Sequence, residues 1–567
     1  MASKDALLAV LAGSGQDHLV NGYDALSPSE QATLAAQIQL YTNAQWRHMS
    51  AILRESLHHL NTSNSAAHAL ESGAVRGAPQ ILPPPADTII SVPALLAERP
   101  SELEAFRAAG MGVITRREGA VVVMAGGSGT RLGVTIPKGM FECDTLVGRR
   151  SLFAFHCQRI RRVEWMAAAA AGSSVPAGAC RGAIPLVIMT SDQTDAATQK
   201  YFRDHDFFGM LPDQVFFVRQ DSLPCYDEET GRVLMETRGR MCLAPSGNAG
   251  VYESLSKTPA APPGSQSVLV QLRAKGVRYV QIGGVDNILA RLGDPYLFGV
   301  AASRQAEVVI KTVPKLSATE RVGVVVQVDG EWSIMEYTEI GSERSAETDL
   351  ATGKLTFNCG NIASHCCSVD FLAHAAKHME TTTFYHAARK TIPTINGPAP
   401  AIKLEAFIFD AFRYAKDVPS RVERAKKEAL PDAFQILQVD RNMEFAPIKN
   451  ADGAAADTPT TAANLLLELH SKWVAAAVAA APESSAEVST DASGVYTAQQ
   501  RVAALQRLRD GVCRWEISPL ISYEGEGLAE YVGHLIRRSA TGSGVMSLDE
   551  SSIDRENLPR RKGQDGR

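Results

Sequence analysis

Residues 121–133 read VVVMAGGSGTRLG, and residues 137–139 read PKG. An apolar run typical of a buried strand passes here directly into a series of glycines. Glycine has no Cβ, so the backbone can adopt a positive φ and approach a ligand closely, and consecutive N–H groups of such a loop can hold phosphate oxygens. Arg131 and Lys138 add positive charge suited to a polyphosphate. The segment therefore predicts a strand of an α/β sheet that ends in a phosphate-binding loop.

The loop follows neither of two common phosphate-binding patterns. The Walker pattern Gly-x-x-x-x-Gly-Lys-Ser/Thr is absent, and the Rossmann pattern Gly-x-Gly-x-x-Gly fails at its last glycine, where Leu132 stands. The alternative is a tight strand-to-helix turn that binds no ligand. Such a turn does not require Arg131 and Lys138 at fixed offsets, so we expect a phosphate site of another kind.

The composition sets limits on the class of protein. Of the 567 residues, 45% are hydrophobic and 21% are charged, with a formal net charge of −5. This is typical of a globular protein of two or three domains and does not favour nucleic acid as a partner. The nine cysteines lack the spacing of a disulfide framework or a zinc site. Because we find neither a secretory signal nor an apolar run long enough to span a membrane, we expect no membrane partner and a cytoplasmic location.

Sequence patterns divide the chain into four expected regions. Residues 1–87 are predicted to be a helical N-terminal region with a Pro-rich linker, 88–450 the main domain, 451–548 a small C-terminal domain and 549–567 a flexible tail. In the main domain, short β-branched runs alternate with helical patterns, which predicts an α/β fold. The expected strands are Ala120–Met124, Leu186–Thr190, Gln214–Arg219, Tyr279–Gly283, Val308–Thr312, Val322–Val328 and Ser333–Tyr337.

Three segments of biased composition are expected to loop out of the fold or to be mobile. They are the Ala/Gly-rich Ala167–Gly182, the Pro-rich Pro259–Gln266 and the Ala/Ser-rich Ala475–Gly494.

Two segments beyond the glycine loop have the chemistry of a nucleotide site. Residues 244–250 read APSGNAG, in which backbone groups at Gly247 and the amide of Asn248 can match the hydrogen-bonding edge of a base. Asp286 follows the mostly apolar run Tyr279–Ile282, and an acidic residue after a buried strand commonly places Mg²⁺ beside phosphates. The alternative for Asp286 is a helix N-cap. We favour the metal because ligands gather at strand ends in open α/β sheets.

In chain order, these segments resemble motifs of the eukaryotic UDP-sugar pyrophosphorylase family. The loop is most similar to the N-acetylhexosamine branch, to which UDP-N-acetylglucosamine pyrophosphorylase belongs. Here Arg131 and Gly139 stand where the glucose branch usually has Met after Gly-Thr and Ser after Pro-Lys. The resemblance implies a Rossmann-like, GT-A-like nucleotidyltransferase fold, with a central mixed sheet, a helical N-terminal region and a small C-terminal domain. Residues 88–450 would then be the catalytic domain.

The resemblance also implies roles for individual residues. Arg131, Lys138 and Lys403 would be catalytic, acting on the pyrophosphate and the α-phosphate, and Asp286 would bind Mg²⁺. The nucleotide would be bound by Ala125, Gly126, Gly127, Gln220, Gly247 and Asn248. The sugar 1-phosphate would be bound by Gly323, Glu336, Tyr337, Asn361, Phe407, Phe409 and Lys449.

The two phenylalanines leave an alternative open. Phe407 and Phe409 alternate, so on a strand they would share one face, and in the family that face packs near the N-acetyl group. Two phenylalanines of a hydrophobic core would give the same pattern.

The activity that the resemblance implies is a uridylyl transfer. UTP and N-acetylglucosamine 1-phosphate would give UDP-N-acetylglucosamine and pyrophosphate, by in-line, Mg²⁺-assisted attack on the α-phosphorus. One alternative is a pyrophosphorylase that prefers glucose or galactose 1-phosphate. Another is a sensor that binds a UDP-sugar without turnover, although the presence of both Arg131 and Lys138 argues against it. The sequence does not predict the oligomeric state.

Overall fold

The computed structural model describes residues 2–62, 79–144, 146–172, 180–258, 264–382, 385–481 and 496–549. The strands in these ranges are β1 (Ile81–Leu82), β2 (Ile89–Ser91), β3 (Gly119–Met124), β4 (Leu186–Thr190), β5 (Val215–Arg219), β6 (Ser222–Asp227), β7 (Met235–Thr237), β8 (Arg240–Met241), β9 (Leu243–Pro245), β10 (Tyr279–Gly284), β11 (Val308–Pro314), β12 (Val324–Val328), β13 (Glu331–Met335), β14 (Cys359–Ser368), β15 (His386–Thr394), β16 (Gly397–Glu405), β17 (Phe434–Gln438), β18 (Cys513–Ile517) and β19 (Gly544–Leu548).

The α-helices in the same ranges are α1 (Lys4–Leu11), α2 (Pro28–Ile38), α3 (Asn43–Thr62), α4 (Val92–Glu98), α5 (Pro100–Thr115), α6 (Leu152–Ala170), α7 (Asp195–Asp204), α8 (Gly250–Ser256), α9 (Val268–Ala274), α10 (Pro295–Ser303), α11 (Ser342–Ala346), α12 (Val369–Thr382), α13 (Pro419–Ala425), α14 (Arg441–Glu444), α15 (Pro459–Ala480), α16 (Ala498–Arg509) and α17 (Val532–Thr541). None of the described helices is both long and apolar enough to cross a membrane.

A mixed sheet forms the centre of the molecule, in the order β2-β17-β11-β14-β10-β3-β4-β5. Strands β10, β3, β4 and β5 run parallel, whereas β14 runs antiparallel to both of its neighbours, β10 and β11. The predicted α/β fold with a central mixed sheet is confirmed. Because parallel strands end at one edge of a sheet, the loops after β3 and β10 converge there, and this edge is where open α/β sheets bind ligands.

Strand β3 is buried on both faces. The side chains of Val121 and Val123 belong to one hydrophobic core, whereas those of Ala120 and Val122 belong to the core on the opposite face. A strand covered on both sides has a continuous apolar sequence rather than an alternating one, which explains the apolar run before the glycines.

Each predicted strand overlaps an observed one, but two inner strands of the central sheet, β14 and β17, were not predicted. The central strand β14 contains a single β-branched residue, Ile362, and is otherwise composed of small, polar and cysteine residues. Its Cys366 and Cys367 are buried on either face of the sheet. The short strand β17 was not predicted either. Tertiary burial overrides the weak local strand preference of β14.

A second sheet, in the order β15-β16-β6-β9, supports the N-terminal helices. One hydrophobic cluster joins Leu7 and Trp46 of those helices to Tyr226 and Ile402 of this sheet. The Pro-rich segment that follows the helices includes β1, which pairs antiparallel with β12. The helical N-terminal region is thus packed on the second sheet.

Helix α15 connects the main core with the core of the C-terminal region. Its Leu466 is buried in the main core and its Val478 in a separate cluster with β18, α17 and β19. Three Arg–Glu ion pairs add to this connection; they are Arg150–Glu516 at 3.1 Å, Arg162–Glu526 at 2.5 Å and Arg107–Glu524 at 2.9 Å.

The alanine-rich segments were predicted to loop out of the fold or to be mobile. This prediction is wrong for the first residues of each segment, which are helical. Ala167–Ala170 complete α6, and Ala475–Ala480 complete α15. Alanine has the highest intrinsic helix propensity, and the buried Ala167 and Val478 give each helix an apolar side to pack. Residues 173–179, 259–263 and 482–494 of the three segments, and 550–567 of the tail, lie outside the described residues.

Candidate active site

The glycine loop follows β3 directly and is held by backbone hydrogen bonds to β4 and within itself. The Ala125 N–H donates to the Met189 carbonyl at 2.8 Å, and the Lys138 N–H donates to the Gly127 carbonyl at 3.1 Å. Gly133 has a φ of 77°, in the left-handed region that favours glycine. The loop therefore closes on itself between residues 127 and 138, and it leaves Gly127 and Arg131 exposed at the sheet edge.

Lys138 and Asp286 meet at this edge. The Lys138 Nζ lies 2.9 Å from Oδ2 of Asp286, and both side chains are partly exposed. The backbone of Asp286 is fixed on either side, since the Val285 N–H donates to the Met124 carbonyl and the Ile448 N–H donates to the Asp286 carbonyl at 2.9 Å. The lysine expected to bind phosphate and the aspartate expected to bind the metal are thus direct neighbours.

Asp286 does not cap a helix, so the N-cap alternative is wrong. The next described helix, α10, is capped by Asp294, whose side chain accepts from the Tyr296 N–H. Asp286 instead lies in a turn held by the buried Asn287, whose Nδ2 donates to the Glu444 carbonyl at 2.6 Å and whose Oδ1 accepts from the Ala446 N–H at 2.8 Å.

The residues at this turn fit Mg²⁺ bound jointly with a substrate. Among the described residues, no group of three or more His, Cys, Asp or Glu side chains could hold a metal alone. A Mg²⁺ site of one carboxylate completed by substrate phosphates and water is the usual arrangement for this ion. The partly exposed carboxylate of Asp286, beside the glycine loop, can supply that single protein ligand.

The expected nucleotide residues lie together around Gly126. A Cβ at Gly126 would clash with Nε2 of Gln220, so the absence of a side chain allows the amide of Gln220 to lie against the loop. Gln220 is buried, and its N–H donates to the Thr190 carbonyl at the end of β4. Gly250 approaches from the other side, since a Cβ there would lie 3.0 Å from Cβ of Gln220.

The segment with Gly247 and Asn248 is fastened to the residues after β16. Gly247 has a φ of 102°, and a Cβ there would clash with the Ala406 carbonyl oxygen. The Asn248 Oδ1 accepts from the Ile408 N–H at 2.7 Å. Because Oδ1 of Asn248 is bound to Ile408, its Nδ2 is the end of the amide that faces away from Ile408. The bond also connects the segment expected to bind the nucleotide with the segment expected to bind the sugar.

Three of the expected sugar residues also meet. The Asn361 N–H donates to the Gly323 carbonyl at 2.8 Å, and a Cβ at Gly323 would lie 3.1 Å from Oε1 of Glu336. Burial and the charge of Glu339 raise the pKa of Glu336 above its usual value, although the positive charges of His386 and Lys449 oppose this.

Tyr337 and Lys449 lie at the border of this group. The side chain of Tyr337 is 43% exposed and thus open to a ligand. The Lys449 Nζ lies 3.7 Å from Oδ2 of Asp457 and over the ring of Phe445 at 5.7 Å.

Lys403 lies on β16. Its Nζ donates to Oε1 of Glu405 at 2.7 Å.

The expectation that Phe407 and Phe409 share one face of a strand is wrong. Strand β16 ends at Glu405, and Phe409 belongs to the 3₁₀ helix Ile408–Asp417. The two rings are nevertheless neighbours, with centroids 5.1 Å apart. Phe409 is buried in the hydrophobic core, and only Phe407 is half-buried at its border.

The sequence interpretation missed His386, Glu339 and Asp410. The His386 Nε2 lies 3.1 Å from Oδ1 of Asp410, and its Nδ1 lies 3.8 Å from Oε1 of Glu339. The ring of His386 lies 4.4 Å from that of Phe407. Asp410 directly follows Phe409 in the chain, but no local pattern indicates His386 or Glu339.

Comparisons with known proteins agree with this geometry. The profile of the UTP–glucose-1-phosphate uridylyltransferase family matches residues 79–491. UDP-N-acetylglucosamine diphosphorylase 2 of Arabidopsis thaliana is 34% identical over 526 residues, which cover 92% of this chain and 90% of the relative. The human UDP-N-acetylhexosamine pyrophosphorylase-like protein 1 is 32% identical, with 94% and 95% covered.

A solved structure extends this agreement to the fold. It is the uridine diphosphate N-acetylglucosamine pyrophosphorylase of Trypanosoma brucei in complex with an inhibitor, which aligns with a TM-score of 0.81 at 39% identity and covers 97% of this chain and 99% of its own. The chain therefore belongs to the UTP–glucose-1-phosphate uridylyltransferase family, and these relatives within it are named for UDP-N-acetylglucosamine or UDP-N-acetylhexosamine.

Proposed function

We propose that this enzyme transfers the uridylyl group of UTP to N-acetylglucosamine 1-phosphate, giving UDP-N-acetylglucosamine and pyrophosphate. The observation that carries the proposal is the Lys138–Asp286 ion pair at the end of the glycine loop. In this pair Lys138 can bind phosphate oxygens, and the neighbouring Asp286 can bind a metal ion. A polyphosphate substrate that carries Mg²⁺ requires both kinds of group side by side. The printed names of the relatives supply the nucleotide and the sugar.

The reaction is a direct displacement at the α-phosphorus. An oxygen of the sugar phosphate forms a bond to the α-phosphorus, while the bond from that phosphorus to the oxygen bridging the α- and β-phosphates breaks, and pyrophosphate leaves with the electron pair. The attacking oxygen is already ionised near neutral pH, since phosphate monoesters have a second pKa of about 6. A general base is therefore not needed, and the protein contributes positioning and charge stabilisation.

Each cation has a separate task in this scheme. Lys138 and the exposed Arg131 stabilise the negative charge on the departing pyrophosphate. Lys403 compensates the charge of the α-phosphate, and Lys449 holds the phosphate of the sugar. Asp286 would hold Mg²⁺, which when bound supplies further neutralisation of phosphate charge.

Base selection and sugar selection belong to two different groups of residues. Ala125, Gly126 and Gly127 would approach the phosphates, with Gln220, Gly247 and Asn248 around the uracil. The group of Gly323, Glu336 and Asn361 would bind sugar hydroxyls through a carboxylate and an amide, and the half-buried ring of Phe407 gives an apolar contact suited to an N-acetyl methyl.

We also propose that the enzyme acts in the cytoplasm. All nine cysteines are buried thiols, which suit a reducing compartment.

The decisive experiment is an assay of pyrophosphate release with UTP and a panel of sugar 1-phosphates. We expect the highest kcat/KM with N-acetylglucosamine 1-phosphate. A higher value with glucose or galactose 1-phosphate would overturn the sugar assignment. Binding of the UDP-sugar by calorimetry without any pyrophosphate release would instead support the sensor. Lys200→Ala serves as a control, because the Lys200–Asp204 pair is exposed on α7 and its loss should leave the kinetics unchanged.

A further inference from the structure

His386 lies among carboxylates contributed by separate segments of the chain. It is the first residue of β15 and pairs in register with Glu405 of β16. Its Nε2 lies 3.1 Å from Oδ1 of Asp410, and its Nδ1 lies 3.8 Å from Oε1 of Glu339. Glu336 is close enough to influence its charge. The side chain is one-third exposed, so it can exchange protons with solvent.

The two nearest carboxylates each hold a backbone N–H of an expected sugar residue. Oδ2 of Asp410 accepts from the Phe407 N–H at 3.0 Å, and Oε2 of Glu339 accepts from the Glu336 N–H at 2.9 Å. The imidazole lies between these carboxylates and also packs on the ring of Phe407, at 4.4 Å between centroids. His386 thus connects the loop that carries Glu336 with the loop that carries Phe407.

The surroundings favour the charged imidazole. Burial lowers the pKa of His386, but the hydrogen bond and charge of Asp410, with the charges of Glu339 and Glu336, raise it by more, so the net pKa is above its ordinary value. Two lysines of the site have carboxylate partners of their own: Lys403 pairs with Glu405 at 2.7 Å, and Lys449, whose charge also acts on Glu336, lies 3.7 Å from Asp457.

We propose that protonated His386 is a positioning residue for the sugar 1-phosphate, whose charge holds the Asp410–Phe407 and Glu339–Glu336 contacts in one arrangement. This inference rests on the proposed function. A neutral imidazole would leave neighbouring carboxylates to repel one another, and the loops bearing Phe407 and Glu336 would separate. The substrate would then meet an imperfect site although the phosphate loop is intact.

The charge of His386, and with it KM for the sugar phosphate, should depend on pH in one direction. A histidine whose pKa is raised in the folded protein carries its charge below that pKa and loses it as the pH rises through it. We therefore expect KM for N-acetylglucosamine 1-phosphate to rise towards alkaline pH by about tenfold, the usual loss for one hydrogen bond to a charged group. KM for UTP should change much less, since Gln220 and Gly126 are held at the end of β4 and do not belong to the two loops that His386 connects.

The test is steady-state kinetics of the full chain with Mg²⁺, from about pH 7 to about pH 9.5, above the second phosphate pKa of about 6. His386→Gln keeps an N–H donor towards Asp410 but carries no charge at any pH. We expect its KM for the sugar phosphate to be high and independent of pH, near the alkaline value of the wild type. His205→Gln is the matched control, because His205 is exposed at the end of α7 and bonds only locally, to the Tyr201 carbonyl.

A second variant keeps the test decisive if His386→Gln is poorly folded. Glu339→Gln removes one negative neighbour of the imidazole and should move the alkaline rise of KM to lower pH. A wild-type KM that is constant over this range, or an unchanged pH profile in His386→Gln, would overturn the proposal. Absence of wild-type turnover would overturn the proposed function itself, whereas turnover with a pH-independent KM would overturn only the role of His386.

Discussion

Lys138 and Asp286 form an ion pair across the ends of two adjacent parallel strands, with Nζ 2.9 Å from Oδ2. Lys138 belongs to the loop after β3 and Asp286 to the turn after β10, and the strands bring them to one sheet edge. In this ion pair each side chain neutralises the charge of the other. Binding of a polyphosphate with Mg²⁺ would exchange this pair for a lysine–phosphate and a carboxylate–metal contact, so the two residues should respond differently to substitution.

Lys138→Ala should lower kcat by about a hundredfold, the usual cost of removing one donor that stabilises transition-state charge. The affinity for UDP-N-acetylglucosamine should scarcely change, because this product lacks the pyrophosphate that Lys138 is expected to stabilise. Steady-state kinetics and calorimetry test the two statements, with Lys200→Ala as the control. A near-normal kcat, or a loss of product binding as large as the loss of turnover, would contradict the role of the loop.

Asp286→Asn should act through the metal. An amide oxygen is a weaker, uncharged ligand for Mg²⁺ than a carboxylate, so activity should fall and should recover in part at much higher Mg²⁺ concentration. A Mg²⁺ titration of the initial rate measures this. If the variant and the wild type reach half-maximal rate at the same Mg²⁺ concentration, Asp286 is not the ligand.

Gly126 and Gln220 allow a test based on steric conflict. Gln220→Ala should weaken the use of UTP and reduce the preference over CTP, since losing a buried hydrogen-bonding amide costs about 1–3 kcal/mol. Gly126→Ala should have a similar effect because its Cβ would displace the amide of Gln220.

The double variant then separates the clash from other effects. With Gln220→Ala present, the nearest remaining atom to the methyl of Gly126→Ala is the backbone carbon of Thr190 at 3.5 Å, an ordinary contact, so the double variant should be no worse than Gln220→Ala alone. Nucleotide competition assays give the selectivity of all three variants. Additive losses would mean that Gly126 acts through the phosphates and not through Gln220.

The parts of the site that the sequence predicts are those encoded locally. The glycine loop with Arg131 and Lys138, and the acidic residue after an apolar strand, can be read from a few consecutive residues. The cluster around His386 could not be predicted, because its members stand at positions 336–339, 386 and 410 and meet only when β15, β16 and the turn after β13 are in place. The central strand β14 was missed for a related reason, since burial between β10 and β11 outweighs its weak local preference.

From the sequence, both Phe407 and Phe409 were expected to contact the sugar. Their different burial in the structure leads us to expect different roles for the two rings. Phe409 is 5% exposed and belongs to the core, so Phe409→Ala should lower the free energy of unfolding by about 3–5 kcal/mol. Phe407 is half-buried, and the Asp410 contact that orders it uses its backbone N–H, which Phe407→Ala retains. That variant should keep most of the stability.

Phe407→Ala should instead reduce the preference for N-acetylglucosamine 1-phosphate over glucose 1-phosphate by about tenfold, the scale of one apolar contact in a binding pocket. Urea denaturation of both variants and the ratio of kcat/KM for the two sugar phosphates distinguish the roles. Phe407→Leu is the intermediate control, since it restores apolar volume without the ring and should recover part of the preference. If Phe407→Ala unfolds as readily as Phe409→Ala while its sugar preference is unchanged, both rings are core residues, and the apolar contact for the N-acetyl group must come from another element of the site.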